Sequence, residues 1–120
     1  MWYIFPQIYG LVVNPSPTNK YYSIKTRQEA IAYLNDEFLS SNLKKHVTLV
    51  RRHSKTRTLG QIFDGDVVKF VSSMTLFAQI AQEESCFSGF ENVFLETLTD
   101  FKAAQDSATL KLMKQDSFNK

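Results

Sequence analysis

Asp66, Lys69 and Ser73 place a carboxylate, an ammonium and a hydroxyl at spacings of three and four residues. On a helix, side chains so spaced lie on one face. The segment 67–82 puts Val67, Phe70, Val71, Met74, Phe77, Ala78 and Ala81 on that same broad half, flanked by Leu76 and Ile80. Ser72, Thr75, Gln79 and Gln82 lie opposite. A polar trio at an apolar surface can act in two ways. Desolvation would ease deprotonation of Lys69 or make it an anion anchor, with Asp66 as a candidate acid or base. Alternatively Asp66 caps the helix, Lys69 lays its stem along the surface, and Ser73 bonds back to the backbone.

A second constellation is electrostatic. Lys44, Lys45, Arg51, Arg52, Lys55 and Arg57, with His46 and His53, fall within 44–57 without an acid among them. Such a run could meet phosphates, whose neutralisation releases counterions. No aromatic residue is interleaved for base stacking and no nucleic-acid-binding pattern surrounds the run, so a solvated helix end is the stronger expectation, with an acidic partner or a nucleic acid as the functional alternative. The two histidines have no carboxylate or thiolate near them in sequence, and no metal site is expected. Cys86 is the only cysteine; it excludes an internal disulfide and reads as a buried, inert thiol. Glycine-rich phosphate loops, HExxH, GxSxG and CxxC are absent from the sequence.

The elements that must position these residues read as helices. Thr26 and Glu29 have capping-box spacing ahead of a helix burying Ala30, Tyr33 and Leu34, which breaks near Asn35-Asp36. The next helix, from about Glu37, carries Leu39, Leu43, Val47 and Val50 on one face. Gly60 sits in a connection to a short turn at 61–63, and Asp64-Gly65-Asp66 offers a helix start. Ser85 opens a helix with Phe87, Phe90, Phe94 and Leu98 along one side, a stripe that reads as core. Ser107 is expected to cap a last helix bearing Leu110 and Met113. Pro-Ser-Pro at 15–17 reads as a loop, and Tyr3–Val13 could hold a short strand. The sum is an all-α bundle of about five helices behind an irregular or short-strand aromatic segment. The chain is read as one domain, 1–120, with the aromatic, proline-rich part at 1–25 and the helical part at 26–120.

The chain has 120 residues, of which 43% are hydrophobic and 22% charged, which excludes disordered, collagen-like and membrane-spanning classes. Neither a signal peptide nor an apolar run of spanning length is present, so a cytoplasmic protein is expected. The formal charge of +2 hides a polarised distribution: zero over 1–43, +6 over 44–57 and −4 over 58–120.

Several motifs fall in a familiar order. Met1-Trp2-Tyr3-Ile4-Phe5-Pro6-Gln7 followed by Gly10 closely resembles the opening of the domain of unknown function 1810 family, some of whose members carry a calpastatin label. Tyr21-Tyr22-Ser23-Ile24 resembles that family's tyrosine segment, and Glu29-Ala30 with Ala32-Tyr33-Leu34 its following helix. Lys69 and Ser72-Ser73-Met74-Thr75-Leu76-Phe77 resemble its most recognisable block, and Asp106 with Thr109-Leu110 its closing signature. Two departures stand out: the family usually has about one more helix before the Met-Trp motif, and His-Pro where this chain has Asn35-Asp36.

The resemblance implies an all-helical fold and no particular activity. It does direct attention to Trp2, Gln7, Tyr21, Lys69, Ser72, Ser73 and Thr75, polar or aromatic side chains inside its motifs. The expected site is a small polar or anionic ligand pocket between the N-terminal aromatic segment and the 67–82 helix. Lys69 would anchor the anion, Ser73 and Gln7 would hydrogen-bond, and Trp2 and Tyr21 would stack. If catalytic, it would hydrolyse a nucleotide or sugar-like group, with no cofactor. The alternative is a non-catalytic interaction module using the basic 44–57 segment.

Overall fold

A computed structural model describes residues 5–11, 17–84 and 90–119. Trp2, Cys86 and Phe87, together with the helix start expected at Ser85, lie outside the described residues. Among those described there are eight helices: α1 Pro17–Tyr22, α2 Arg27–Asn35, α3 Glu37–Arg51, α4 Leu59–Phe63, α5 Val67–Glu83, α6 Phe90–Asp100, α7 Ser107–Met113 and α8 Asp116–Asn119. Five of them, α2, α3, α5, α6 and α7, run seven residues or more. The fold is all-α, as the periodicity requires. No described helix is long and apolar enough to cross a membrane.

Local chemistry sets the boundaries. Thr26 Oγ1 accepts from Glu29 N–H at 3.1 Å, while the Glu29 carboxylate reaches back to Lys25 N–H at 3.4 Å, one residue earlier than a capping box requires. Asp36 then serves two helices. Its N–H closes α2 on Ala32 O at 3.0 Å, and its Oδ1 caps α3 by accepting from Leu39 N–H at 2.9 Å. One residue thus turns the chain.

The short helix α4 has a complete capping box in Thr58 and Gln61, with bonds of 3.2 and 2.8 Å. Its signal, Thr-x-x-Gln, stood in the sequence where a connection and turn are expected. Pro17 likewise begins a helix and not a loop, since proline's fixed φ suits a first helical position.

Two other expectations need correction. Asp66 makes no side-chain cap bond; residues Asp64–Asp66 form a 3-10 turn, and the Asp66 carboxylate is drawn instead to Lys69. Asp106, not Ser107, caps α7. Its Oδ2 accepts from both Thr109 N–H at 2.9 Å and Thr109 Oγ1–H at 2.6 Å, two donors that satisfy one carboxylate.

Helix α5 is the centre of the core and packs most extensively against α6. Phe70, Met74, Phe77, Ala78 and Ile80 are fully buried, but so are Ser72 and Thr75 from the polar side. Other parts of the chain cover that side. Thr75 Oγ1 donates to Val71 O at 2.8 Å and accepts from Asp106 N–H at 2.9 Å. Gln79 bonds Gln105 at 2.8 Å.

Across α3, Leu43 and Val47 are buried as expected, with Leu39 and Val50 half-buried. Among the described residues of the expected N-terminal strand there is one parallel bridge, between Ile8 and Ile24, closed by two 2.8 Å bonds. Both isoleucines are buried. Gly10 follows at φ 107°, a conformation that favours glycine, and its Cα hydrogen faces Leu112 where a Cβ would stand 3.4 Å away.

Candidate functional site

Helix α2 has two working faces. Ala30 and Leu34 enter the core, while Glu29, Ala32, Tyr33 and Asp36 recur at i, i+3, i+4 and i+7 on another side. With Leu39 from α3 these form one wall of a solvent-open cavity of about 560 Å³. The other wall is Pro6, Tyr21, Tyr22 and Ile24. The Ile8–Ile24 bridge holds the two strips of that wall together, because Gln7 O accepts from Ile24 N–H. Small side chains make room: Ala32 leaves the gap that the tyrosines border.

Of the three rings only Tyr33 packs on the core; Tyr21 and Tyr22 are exposed. Tyr21 and Tyr22 meet edge to face, centroids 4.9 Å apart at 82°. Tyr33 leans on Phe77 of the core at 5.2 Å, tilted by 31°. Burial, and then the negative charge of Asp36, push the Tyr33 hydroxyl from its ordinary 10 up to about 12. The neutral phenol is therefore the form the fold prefers. Its contribution to stability is complete below pH 10 and is lost as pH rises towards 12. An absorbance titration near 295 nm should show a late phenolate phase that Tyr33→Phe removes. A wild-type titration already complete at about pH 11 would contradict this assignment.

The residues singled out in the sequence go to several places. Gln7 turns inward beside Pro6 and donates from Nε2 to Ser72 Oγ at 2.8 Å, and Ser72 donates to Lys69 O at 3.1 Å. Ser73 is fully buried, and its hydroxyl has no hydrogen-bond partner among the described residues. Lys69 Nζ lies 3.0 Å from Asp66, both half-exposed. Thr75 is committed to Val71 and Asp106. Of this group, Tyr21 borders the cavity; Lys69, Gln7, Ser72, Ser73 and Thr75 do not line it. The structure brings Gln7 to Ser72 and Lys69 to Asp66. Pro6, Tyr22, Ile24, Glu29, Ala32, Tyr33, Asp36 and Leu39 are the lining residues that the sequence does not mark as a site; the i, i+3, i+4, i+7 pattern on α2 is a signal for Glu29, Ala32, Tyr33 and Asp36 alone.

The basic segment is divided by its contacts. Arg51 is spent within the fold, bonding Asp100 at 2.6 Å and Glu96 at 2.9 Å on α6. His46 donates from Nδ1 to Asn42 O at 2.7 Å and meets the edge of Phe5, so it is half-buried framework. Lys44, Lys45, Arg52, Lys55 and Arg57 are exposed, with Phe38 and Leu49 also exposed on α3. Among the described residues no three His, Cys, Asp or Glu side chains gather as metal ligands would.

Comparison with known proteins is consistent over most of the chain. The crystal structure of the conserved hypothetical protein Rv1873 from Mycobacterium tuberculosis is similar, with a TM-score of 0.79 and 32% identity. The match covers 92% of this chain and 74% of that one. No curated protein matches. The family pattern described as "Protein of unknown function (DUF1810)" spans residues 1–113, and the chain belongs to that family.

Proposed function

We propose that the protein binds a small molecule in the tyrosine-walled cavity between α2 and the segments containing Pro6 and Tyr21–Ile24. The observation that carries this reading is convergence. Pro6, the tyrosine pair with Ile24, and Glu29 with Ala32-Tyr33 come from three separate motifs of the family resemblance, and all border one cavity. Its volume of about 560 Å³ suits a small organic ligand. Aromatic walls supply contact area, and a few fixed polar groups supply orientation.

A thermal-shift screen of small aromatic, nucleotide and sugar-phosphate compounds tests the proposal, with Ala32→Trp as the variant. Ala32 is exposed on α2, so the change should alter stability by only about 0.5 kcal/mol while filling the cavity. A hit should lose at least tenfold in affinity in that variant. Retained affinity would remove the cavity from consideration.

The same screen separates two other readings. The Lys69–Asp66 pair, 3.0 Å apart at the start of α5, supports an anion site with hydrolysis of a nucleotide or sugar-like group. A ligand lost in Lys69→Ala but kept in Ala32→Trp would favour it. The exposed cations Lys45 and Arg52, beside Phe38 and Leu49, support docking of an acidic partner. Binding that weakens steeply with salt and disappears in Arg52→Glu would favour that instead.

A further inference from the structure

We infer that the cavity selects a ligand with a positively charged head group, of the primary or quaternary ammonium or guanidinium class. The inference rests on the cavity being the binding site and adds the sign of the charge it takes.

Three observations point the same way. The charged side chains lining the cavity are Glu29 and Asp36, both acidic. Neither forms an ion pair among the described residues, although Arg27 and Lys25 are close in sequence. Arg27 is held instead by Glu83 and Glu84 at the end of α5. The Lys25 ammonium is turned to Ser23 O at 3.3 Å and lies 5.8 Å from the centre of the Tyr9 ring. Arg27 and Lys25 are thus engaged elsewhere, and among the described residues the two carboxylates lining the cavity have no ion-pair partner.

Asp36 is also held in place: its Oδ1 accepts from Leu39 N–H at 2.9 Å, whereas Glu29 Oε1 makes a longer contact of 3.4 Å with Lys25 N–H. Each bond occupies one oxygen and leaves the other free to accept from a ligand. Anchoring through helix-cap geometry means that binding need not order the Asp36 side chain afresh.

The rings complete the argument. Tyrosine faces carry negative quadrupole potential, which attracts ammonium and guanidinium groups within about 6 Å of the centroid. Tyr21, Tyr22 and Tyr33 together border the cavity, with Pro6, Ile24 and Leu39 offering apolar contact for the ligand's body. An anionic head would meet two like charges. A neutral one would gain the apolar contact alone.

The test uses three probes that share a phenyl ring and differ in the head: benzyltrimethylammonium, benzyl alcohol and benzoate. Each is titrated into the 15N-labelled full chain, following the backbone amides of Tyr22, Ala32 and Tyr33. The ammonium probe should bind roughly tenfold more tightly than the alcohol, and benzoate more weakly than either. In Glu29→Gln with Asp36→Asn the ammonium preference should shrink to about twofold, because the charge is gone while the ring contacts remain. Asparagine caps helices as well as aspartate, so this variant keeps the fold. Equal affinity for ammonium and alcohol at these amides would overturn the inference and leave the cavity standing as a site. If none of the probes moves these amides, the cavity reading falls with it.

Discussion

Replacing Phe5 with alanine should cost about 3–5 kcal/mol of folding stability, the largest effect expected of any single side chain in the N-terminal segment. Phe5 is only 4% exposed. Its ring meets Phe70 edge-on at 5.0 Å, Phe63 at 5.9 Å and His46 at 6.4 Å, and Phe63 and Phe70 stack on each other at 4.7 Å. One side chain therefore joins the N-terminal segment to α3, α4 and α5 together. Truncation leaves a hole among three rings that cannot close without moving helices. For a domain whose total stability is of the order of 5–15 kcal/mol, that is a large fraction. Pro6 follows directly, so the cavity should lose a wall in the same variant. Urea unfolding measures the first effect, and probe binding below the unfolding transition measures the second. Phe5→Leu should cost about 1 kcal/mol and keep the cavity. A loss under about 1 kcal/mol for Phe5→Ala would mean that the ring cluster does not hold the segment.

The parts of this fold that could be read from sequence are those decided within a few residues. The Asn35-Asp36 break is such a case, since one carboxylate can close one helix and start the next. The inward face of α3 is another, because Leu43 and Val47 keep the helical period. On α5 periodicity gives the apolar face but not the burial of the opposite side, for a physical reason. It places Ser72 and Thr75 opposite the apolar face but cannot say what will cover them. Gln7, from 65 residues away, and Asp106, from 31 residues away, do so with complementary hydrogen bonds.

The cavity was hidden for a similar reason. One wall is a pattern on α2 that is visible in sequence, but it becomes a site only when the Ile8–Ile24 bridge brings Pro6 and the tyrosine pair against it. Arg51 reads as part of a basic patch in sequence because its partners Glu96 and Asp100 lie on another helix. Asp106 displaced Ser107 as a cap because its carboxylate accepts from two Thr109 donors, a choice that two adjacent capping residues leave open until the third is placed.

Neighbouring serines on α5 should respond to the same substitution with opposite signs. Ser72 Oγ accepts the Gln7 amide hydrogen and donates to Lys69 O, so Ser72→Ala removes an acceptor from a buried donor. Leaving that amide hydrogen without its partner should cost about 1–3 kcal/mol. The same bond helps to seat the residue next to Pro6, so the variant should also weaken probe binding at the cavity. Ser73 differs in the one respect that matters. It is as deeply buried, yet among the described residues its hydroxyl has no partner, and the fold carries its desolvation without return. Ser73→Ala removes that hydroxyl and gains helix propensity, and should raise stability by about 1–2 kcal/mol. Differential scanning calorimetry of the two variants resolves the difference, because about 1 kcal/mol shifts the midpoint by several degrees in a domain of this size. Destabilisation by Ser73→Ala would show that the hydroxyl is bonded in solution. Neutrality of Ser72→Ala would show that the Gln7 bond is dispensable, and with it the anchor behind the cavity's Pro6 wall.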